Sequence, residues 1–313
     1  MYAGVSGGAL LAAGGANFPE KMPWEGGKKV WYDSVFVLDR PEGEWRVAGR
    51  LPRALGYGVC VTFGDAVICA GGSDATRHYA DVFRLRWTHN ELKTEMLPAL
   101  PHPVANACGT LVGSTLYVIG GQSSADAPAS DEVFAMDLSS RASVWRKVEP
   151  LPPAAGGGGG RILAVAASCD GALFVAGGAT LIKGADGKQV RRYLSDAYRY
   201  APTRGWSRVA DLPHAVVAAP SPAPNAESAW YILGGDDGTQ VDVAPGAHRG
   251  FSRTVLRYDA HADRWKVLSQ ELPVGQVTAP CVFWEGRWRV VSGEVRPGVR
   301  SPAVMNWSVP DKE

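Results

Sequence analysis

Residues 56–72 read GYGVCVTFGDAVICAGG, and the fold follows from where else that phrase recurs. Two apolar runs flank Gly64-Asp65, a pair that suits a tight turn between antiparallel strands, and a Gly-Gly pair closes the second run. The same ending returns at Gly14-Gly15, Gly120-Gly121, Gly177-Gly178 and Gly234-Gly235, with a degenerate copy at Ser292-Gly293. Successive copies are 57, 49, 57, 57 and 58 residues apart. A period of that size held over six units is the mark of a repeat architecture.

Each unit continues in the same way. After the glycines come a loop and a third strand carrying aromatics, as in DVFRLRW, SDAYRY and TVLRYDA. A tryptophan then opens a fourth strand at Trp45, Trp145, Trp206 and Trp265. Leu-Pro closes the unit at 51–52, 100–101, 151–152, 212–213 and 272–273. Four strands with Gly-Gly after the second and Trp at the fourth resemble the kelch motif. The sequence therefore predicts an all-β chain, a single six-bladed β-propeller of kelch-type repeats. The expected blades are approximately 1–50, 51–97, 98–150, 151–211, 212–271 and 272–313. The sixth is expected to hold three strands, Cys281–Trp284, Arg287–Ser292 and Ser301–Val309. Its outer strand is expected to be missing or to come from residues ahead of this chain.

Composition agrees. The 313 residues are 46% hydrophobic and 20% charged, and 38 Gly, 22 Pro and 11 Trp suit a protein of many tight turns. A net charge of +1 gives no electrostatic reason to expect nucleic acid or an anionic membrane as partner. No apolar run approaches a membrane span. The opening MYAGVSGG lacks the basic and long apolar regions of a signal peptide, so a cytoplasmic location is expected, or a periplasmic one if a leader was removed. Cys60, Cys69, Cys108, Cys169 and Cys281 form no CxxC pair, four of them lie in apolar runs and their number is odd, so free buried thiols are expected.

Superposing the repeats puts Ala16, Ser73, Gln122, Ala179, Asp236 and Glu294 at one position, expected to ring a channel mouth. Arg53, His102, Pro153, His214 and Val274 follow the Leu-Pro pairs as a second ring. Carboxylates facing Arg and His around a concave mouth suit a polar, anionic small molecule.

Two segments narrow the reading. Unit six carries VVSGEVRPGVRSPAV and unit one the long insert GGANFPEKMPWEGGKKVWYDS. Both are similar, in spacing as well as residues, to segments of bacterial N-acetylneuraminate (sialic acid) mutarotases, which read like NGE-x-K-PG-x-R and GGA…EG-x-KK-x-Y-S. In that family the GE segment lies mid-chain and the GGA segment follows it, whereas here GGA comes first and GE last. A propeller is a closed ring, so the chain resembles a cyclically permuted branch.

The resemblance implies that Glu294 is the catalytic acid and Arg300, six residues on, its partner. It also implies substrate contacts from Arg296 and Arg161, and from Arg53 across a two-residue gap. Asn17 and Glu25 of the insert and Asp236 of the ring complete the expected set. The loop Gly235–Thr254 is shorter than its family counterpart.

The implied activity is interconversion of the α- and β-anomers of sialic acid or a close 2-keto sugar acid. One carboxylate moves the proton between anomeric hydroxyl and ring oxygen, and one guanidinium grips the substrate carboxylate. No metal or organic cofactor is required. The alternative is a non-catalytic kelch module that binds protein or glycan.

Other signals carry less. Gly4-Val5-Ser6-Gly7-Gly8 fits GxSxG but joins two blade strands rather than a strand and a helix. Gly156–Gly160 lacks the Lys-Ser/Thr and the helix of a phosphate-binding loop. The six histidines show no zinc spacing.

Overall fold

A computed structural model describes residues 1–140, 142–154, 157–184 and 187–310. The phrase that set the repeat folds as read. Val59–Thr62 and Val67–Ala70 pair antiparallel, and Phe63 N donates to Ala66 O at 2.9 Å across the turn. Val82–Thr88 and Glu91–Leu97 complete a four-stranded sheet.

The other units repeat it. Blade one is Tyr2–Ser6, Ala9–Ala13, Ser34–Leu38 and Arg46–Arg50. Blades three, four and five are also four-stranded, with innermost strands Cys108–Val112, Val165–Cys169 and Asn225–Ala226. Blade six has three strands, Cys281–Trp284, Arg287–Arg296 and Val299–Trp307. Residues 311–313, part of the tail expected to add no fourth strand, lie outside the described residues, as does Gly156 of the glycine run. The protein is a six-bladed β-propeller. Among the described residues the only helical element is the 3-10 turn Pro23–Glu25, and no helix is long and apolar enough to cross a membrane.

The Gly-Gly pairs exist because the linker to the next blade runs directly beneath them. Gly72 N donates to Val104 O at 2.7 Å, and a Cβ on Gly71, at φ 64°, would lie 2.3 Å from that same oxygen. Gly15, Gly121 and Gly178 make the equivalent bonds to Leu55, Arg161 and Val216. A side chain there would push the blades apart.

Apolar clusters fill the wedges between successive blades, with Tyr2, Phe83 and Trp87 between blades one and two and Phe174, Trp230 and Tyr258 between four and five. Ala3, Leu10, Ala12, Leu38, Val282, Trp284 and Val291 close the ring between six and one, helped by Trp284 Nε1 donating to Gly8 O at 2.7 Å. This closing cluster is the smallest of those between adjacent blades among the described residues.

All five cysteines are free and buried. Burial pushes the Cys108 thiol up to about 12 and the Cys169 thiol to about 11, so neither offers thiolate near neutrality. Iodoacetamide at pH 8 is expected to label none of the five in the native protein and all five after denaturation. Intact-mass measurement checks this; rapid native labelling would contradict the packing. Ser6 of the GxSxG string is fully buried, bonded to Asp65 O at 3.0 Å and Trp87 N at 2.8 Å, which makes it a structural hydroxyl.

Candidate functional site

The ring position that follows each Gly-Gly pair is real. Ser73, Gln122, Ala179, Asp236 and Glu294 form equivalent bridges to Gly56, Ala105, Ile162, Val217 and Val277. The residues that face the axis are the next ones along those linkers, which corrects the expected ring. Tyr57, Asn106, Leu163, Ala218 and Thr278 all have left-handed backbone, with φ between 54° and 63°. They are joined head to tail: Asn106 N bonds Tyr57 O, Leu163 N bonds Asn106 O, Ala218 N bonds Leu163 O, and Thr278 N bonds Ala218 O, at 2.8–2.9 Å. With Met1 they line an axial cavity of about 70 Å³.

Arg300 stands between the two ends of that chain of bonds. Its guanidinium donates to Thr278 Oγ1 at 3.3 Å and to Tyr57 Oη at 3.1 Å, and it makes an ion pair with Glu294. Register explains the pairing: Glu294 and Arg300 face each other across the Arg287–Arg296 and Val299–Trp307 hairpin. The Gly298 N–H in the turn donates to the other carboxylate oxygen at 2.5 Å. The side chains are 13% (Arg300) and 15% (Glu294) exposed, and burial holds the Arg300 pKa below its ordinary value. Little water competes for this pair.

A second cation comes from the insert of blade one. Lys29 Nζ donates to Tyr57 Oη at 3.1 Å and lies 5.3–5.5 Å from the ring centroids of Phe18, Trp31 and Tyr57. Such faces attract an ammonium through the ring quadrupole. The insert and the blade-six hairpin touch directly, since a Cβ on Gly298 would lie 2.6 Å from Pro23 Cγ. Segments more than 260 residues apart in sequence thus form one wall. A cavity of about 650 Å³ opens between blades one and six, reaching Asn17, Tyr57, Thr278 and Arg300 at its inner end. That lies within the ~300–1,000 Å³ of small-molecule sites.

The expected site residues divide accordingly. Glu294 and Arg300 come together, with Arg300 lining the cavity and Glu294 behind it; Asn17 lines it too. Arg296 lies partly buried at the end of its strand. The others are placed elsewhere. Arg161 is 1% exposed and spans Asp196 with two 3.1 Å bonds, also donating to Gly177 O at 2.9 Å. Arg53 pairs with Asp81 at 3.0 Å over the Tyr79 ring. Asp236 accepts from Tyr193 Oη at 2.6 Å and Gly238 N at 3.0 Å, and exposed Glu25 accepts from Met22 N at 3.0 Å, capping its own turn. The second ring is an outer one: His102 meets Glu132 of its own blade, as Arg53 meets Asp81.

Tyr57, Lys29 and Thr278 were not singled out from sequence. Reading the repeat two to three residues ahead of each inner strand would have found Tyr57 and Thr278. Among the described residues no group of three or more His, Cys, Asp or Glu is placed to hold a metal ion.

Comparison with known proteins bears on the N-terminal part of this wall. Residues 1–94 match the family model described as N-acetylneuraminate epimerase. Part of the chain is thus similar to proteins named N-acetylneuraminate epimerase. The Haemophilus influenzae (strain 86-028NP) protein of that name is 27% identical over 229 residues, covering 65% of this chain and 57% of that protein. The Salmonella enteritidis PT4 protein is 41% identical over 83 residues, 24% of this chain and 21% of its own. The Yersinia pestis (strain Pestoides F) protein is 35% identical over 104 residues, 30% of this chain and 26% of its own. The chain therefore spans little more than half the length of these curated relatives, and less for two of them. The family match covers the insert that carries Asn17 and Lys29 and the linker that carries Tyr57, and the Glu294–Arg300 hairpin packs against both.

Proposed function

We propose that this protein is a mutarotase that interconverts the α- and β-anomers of N-acetylneuraminic acid or a close 2-keto sugar acid. The observation that carries the reading is Arg300, a mostly buried guanidinium at the inner end of the cavity, with Glu294, Tyr57 and Thr278 all on it. A substrate carboxylate would take the open side of Arg300, the fork-shaped partner such groups favour. Sharing the guanidinium loosens its hold on Glu294 and leaves that carboxylate held by the Gly298 N–H.

The chemistry then needs one proton to move. Glu294 takes the proton of the anomeric hydroxyl at C2 as the bond from C2 to the ring oxygen breaks. The same proton goes to the ring oxygen, leaving an open-chain ketone with a free hydroxyl. Rotation about the bond to C2 presents the other carbonyl face, and reversal of the two transfers closes the ring on the second anomer. Tyr57 Oη, with Lys29 and Arg300 both donating to it, has its own hydrogen free to meet the substrate carboxylate.

An NMR time course starting from pure α-anomer tests the activity directly. Equilibration no faster than in buffer would sink it and leave a binding module. With activity present, Arg300→Ala is expected to raise KM strongly. Arg300→Lys should restore little, because a point charge replaces a two-pronged grip. Tyr57→Phe should cost roughly tenfold in kcat/KM with no loss of fold, the worth of a hydrogen bond to a charged group.

A further inference from the structure

The five cysteines are not equivalent by position. Cys108, Cys169 and Cys281 lie in three different interblade clusters, each opposite a residue without a thiol: Ile119, Ala172 and Val290. Cys60 and Cys69 share one cluster, between blades one and two. They are direct partners across the Val59–Thr62 and Val67–Ala70 hairpin.

The turn fixes what kind of partners they are. Phe63 N donates to Ala66 O, so these two are a hydrogen-bonded pair. Antiparallel pairs alternate in kind. Val61–Ile68 and Val59–Ala70 are therefore hydrogen-bonded pairs, and Thr62–Val67 and Cys60–Cys69 are not. Opposed residues of the second kind have Cα atoms about 4.5 Å apart, and their side chains leave the same face of the sheet. A disulfide spans Cα separations of roughly 4.4–6.8 Å, so joining these sulfurs requires no change of register. The strand is also anchored to blade one: Cys60 Sγ accepts from Ala3 N at 3.2 Å, and Thr62 Oγ1 accepts from Val5 N at 2.9 Å.

We propose that Cys60 and Cys69 are an oxidative modification site, forming a cross-strand disulfide when the chain folds in contact with a disulfide oxidant. The thiolate of one cysteine attacks the oxidant's disulfide, which forms a mixed disulfide and releases one thiol. The thiolate of the other attacks the mixed disulfide at the cysteine sulfur, closing the Cys60–Cys69 bond and releasing the second thiol. The protein gives up two electrons and two protons, and the two released thiols carry them. The window for this exchange is folding itself. In the finished propeller Cys60 is 5% and Cys69 0% exposed, and burial pushes both thiols up, so thiolate is scarce and the oxidant is kept out. The redox state met during folding is thereby retained. The site is independent of the reaction assigned to Arg300 and Glu294.

The test is refolding of the full chain from denaturant in mixed oxidised and reduced glutathione, beside a sample refolded in dithiothreitol. The first is expected to be about 2 Da lighter, having lost two hydrogens. After denaturation it should show three alkylatable thiols, against five in the second. Peptide mapping should place the link between Cys60 and Cys69. Its Tm should be a few degrees higher, because the link restricts the unfolded chain. Reduced protein that has already folded should keep all five thiols in the same glutathione buffer; ready loss of two there would overturn the restriction to folding. Cys69→Ala should refold with four free thiols. An unlinked parent chain, or links through Cys108, Cys169 or Cys281 instead, overturns the proposal. So does a Cys60–Cys69 link found only in protein lacking the far-UV spectrum of the reduced form. If the chain does not refold, cell-free synthesis in the same two buffers gives the same readouts.

Discussion

Glu294→Gln is expected to lower the rate of sialic acid anomerisation by roughly 10²–10⁴-fold, the usual worth of a positioned acid–base group, while the protein stays folded. The amide has the shape of the carboxylate and can still accept the Gly298 N–H now 2.5 Å away. What it loses is basicity and the ion pair with Arg300. Both partners are mostly buried, so the unpaired guanidinium carries a cost, offset by its bonds to Tyr57 and Thr278. A drop in Tm of a few degrees and an unchanged far-UV spectrum are expected. Progress curves from pure α-anomer give the rate, and a variant as fast as the parent would show that Glu294 is only the anchor of its hairpin. Because the loss is chemical, kcat should fall with little change in KM, the opposite of Arg300→Ala.

Arg161→Ala is expected to give the largest loss of stability, about 3–5 kcal/mol, because it leaves Asp196 charged without its guanidinium in the interior. Both side chains are 1% exposed and joined by two 3.1 Å bonds, with Tyr198 Oη on the same carboxylate at 3.0 Å. Chemical denaturation should show a lower midpoint, and Tm should fall by roughly 6–15 °C. Anomerisation per folded molecule at low temperature should be unchanged. The resemblance that places Arg161 against substrate predicts the reverse, a raised KM with Tm intact, so one variant separates the two roles. If Arg161→Ala fails to fold, Arg161→Met with Asp196→Leu removes both charges and should recover much of the stability.

The contrast between Arg161 and Arg300 shows where legibility ended. Both are arginines at positions a family resemblance marks, and nothing in the local sequence separates them. Arg300 lies six residues from Glu294 in a hairpin whose turn is the Pro-Gly at 297–298, so local register alone brings the two together. Arg161 opens a linker, and its surroundings are set by Asp196, 35 residues on, and by the Gly177 carbonyl. The axial ring shows the same limit. The repeat found the bridge position that holds Glu294, but the side chains facing the axis belong to the next residue of the paired linker. Left-handed backbone turns them inward, at Tyr57 and Thr278 as at non-glycine residues where sequence gives no sign of it.

What the sequence determined by itself was periodic or local. Six copies of a hairpin ending in Gly-Gly or Ser-Gly specify six blades, because alternating burial and tight turns are properties of neighbouring residues. The Glu294–Arg300 hairpin and the three strands of blade six were legible for the same reason. Only the tertiary structure decided that Lys29 and Arg300 share the Tyr57 hydroxyl, that Gly298 seats on Pro23, and that the cavity lies at the joint of blades one and six. Those contacts are made when the ring closes and its first and last blades meet, and the two halves of the wall carry no pattern that refers to each other.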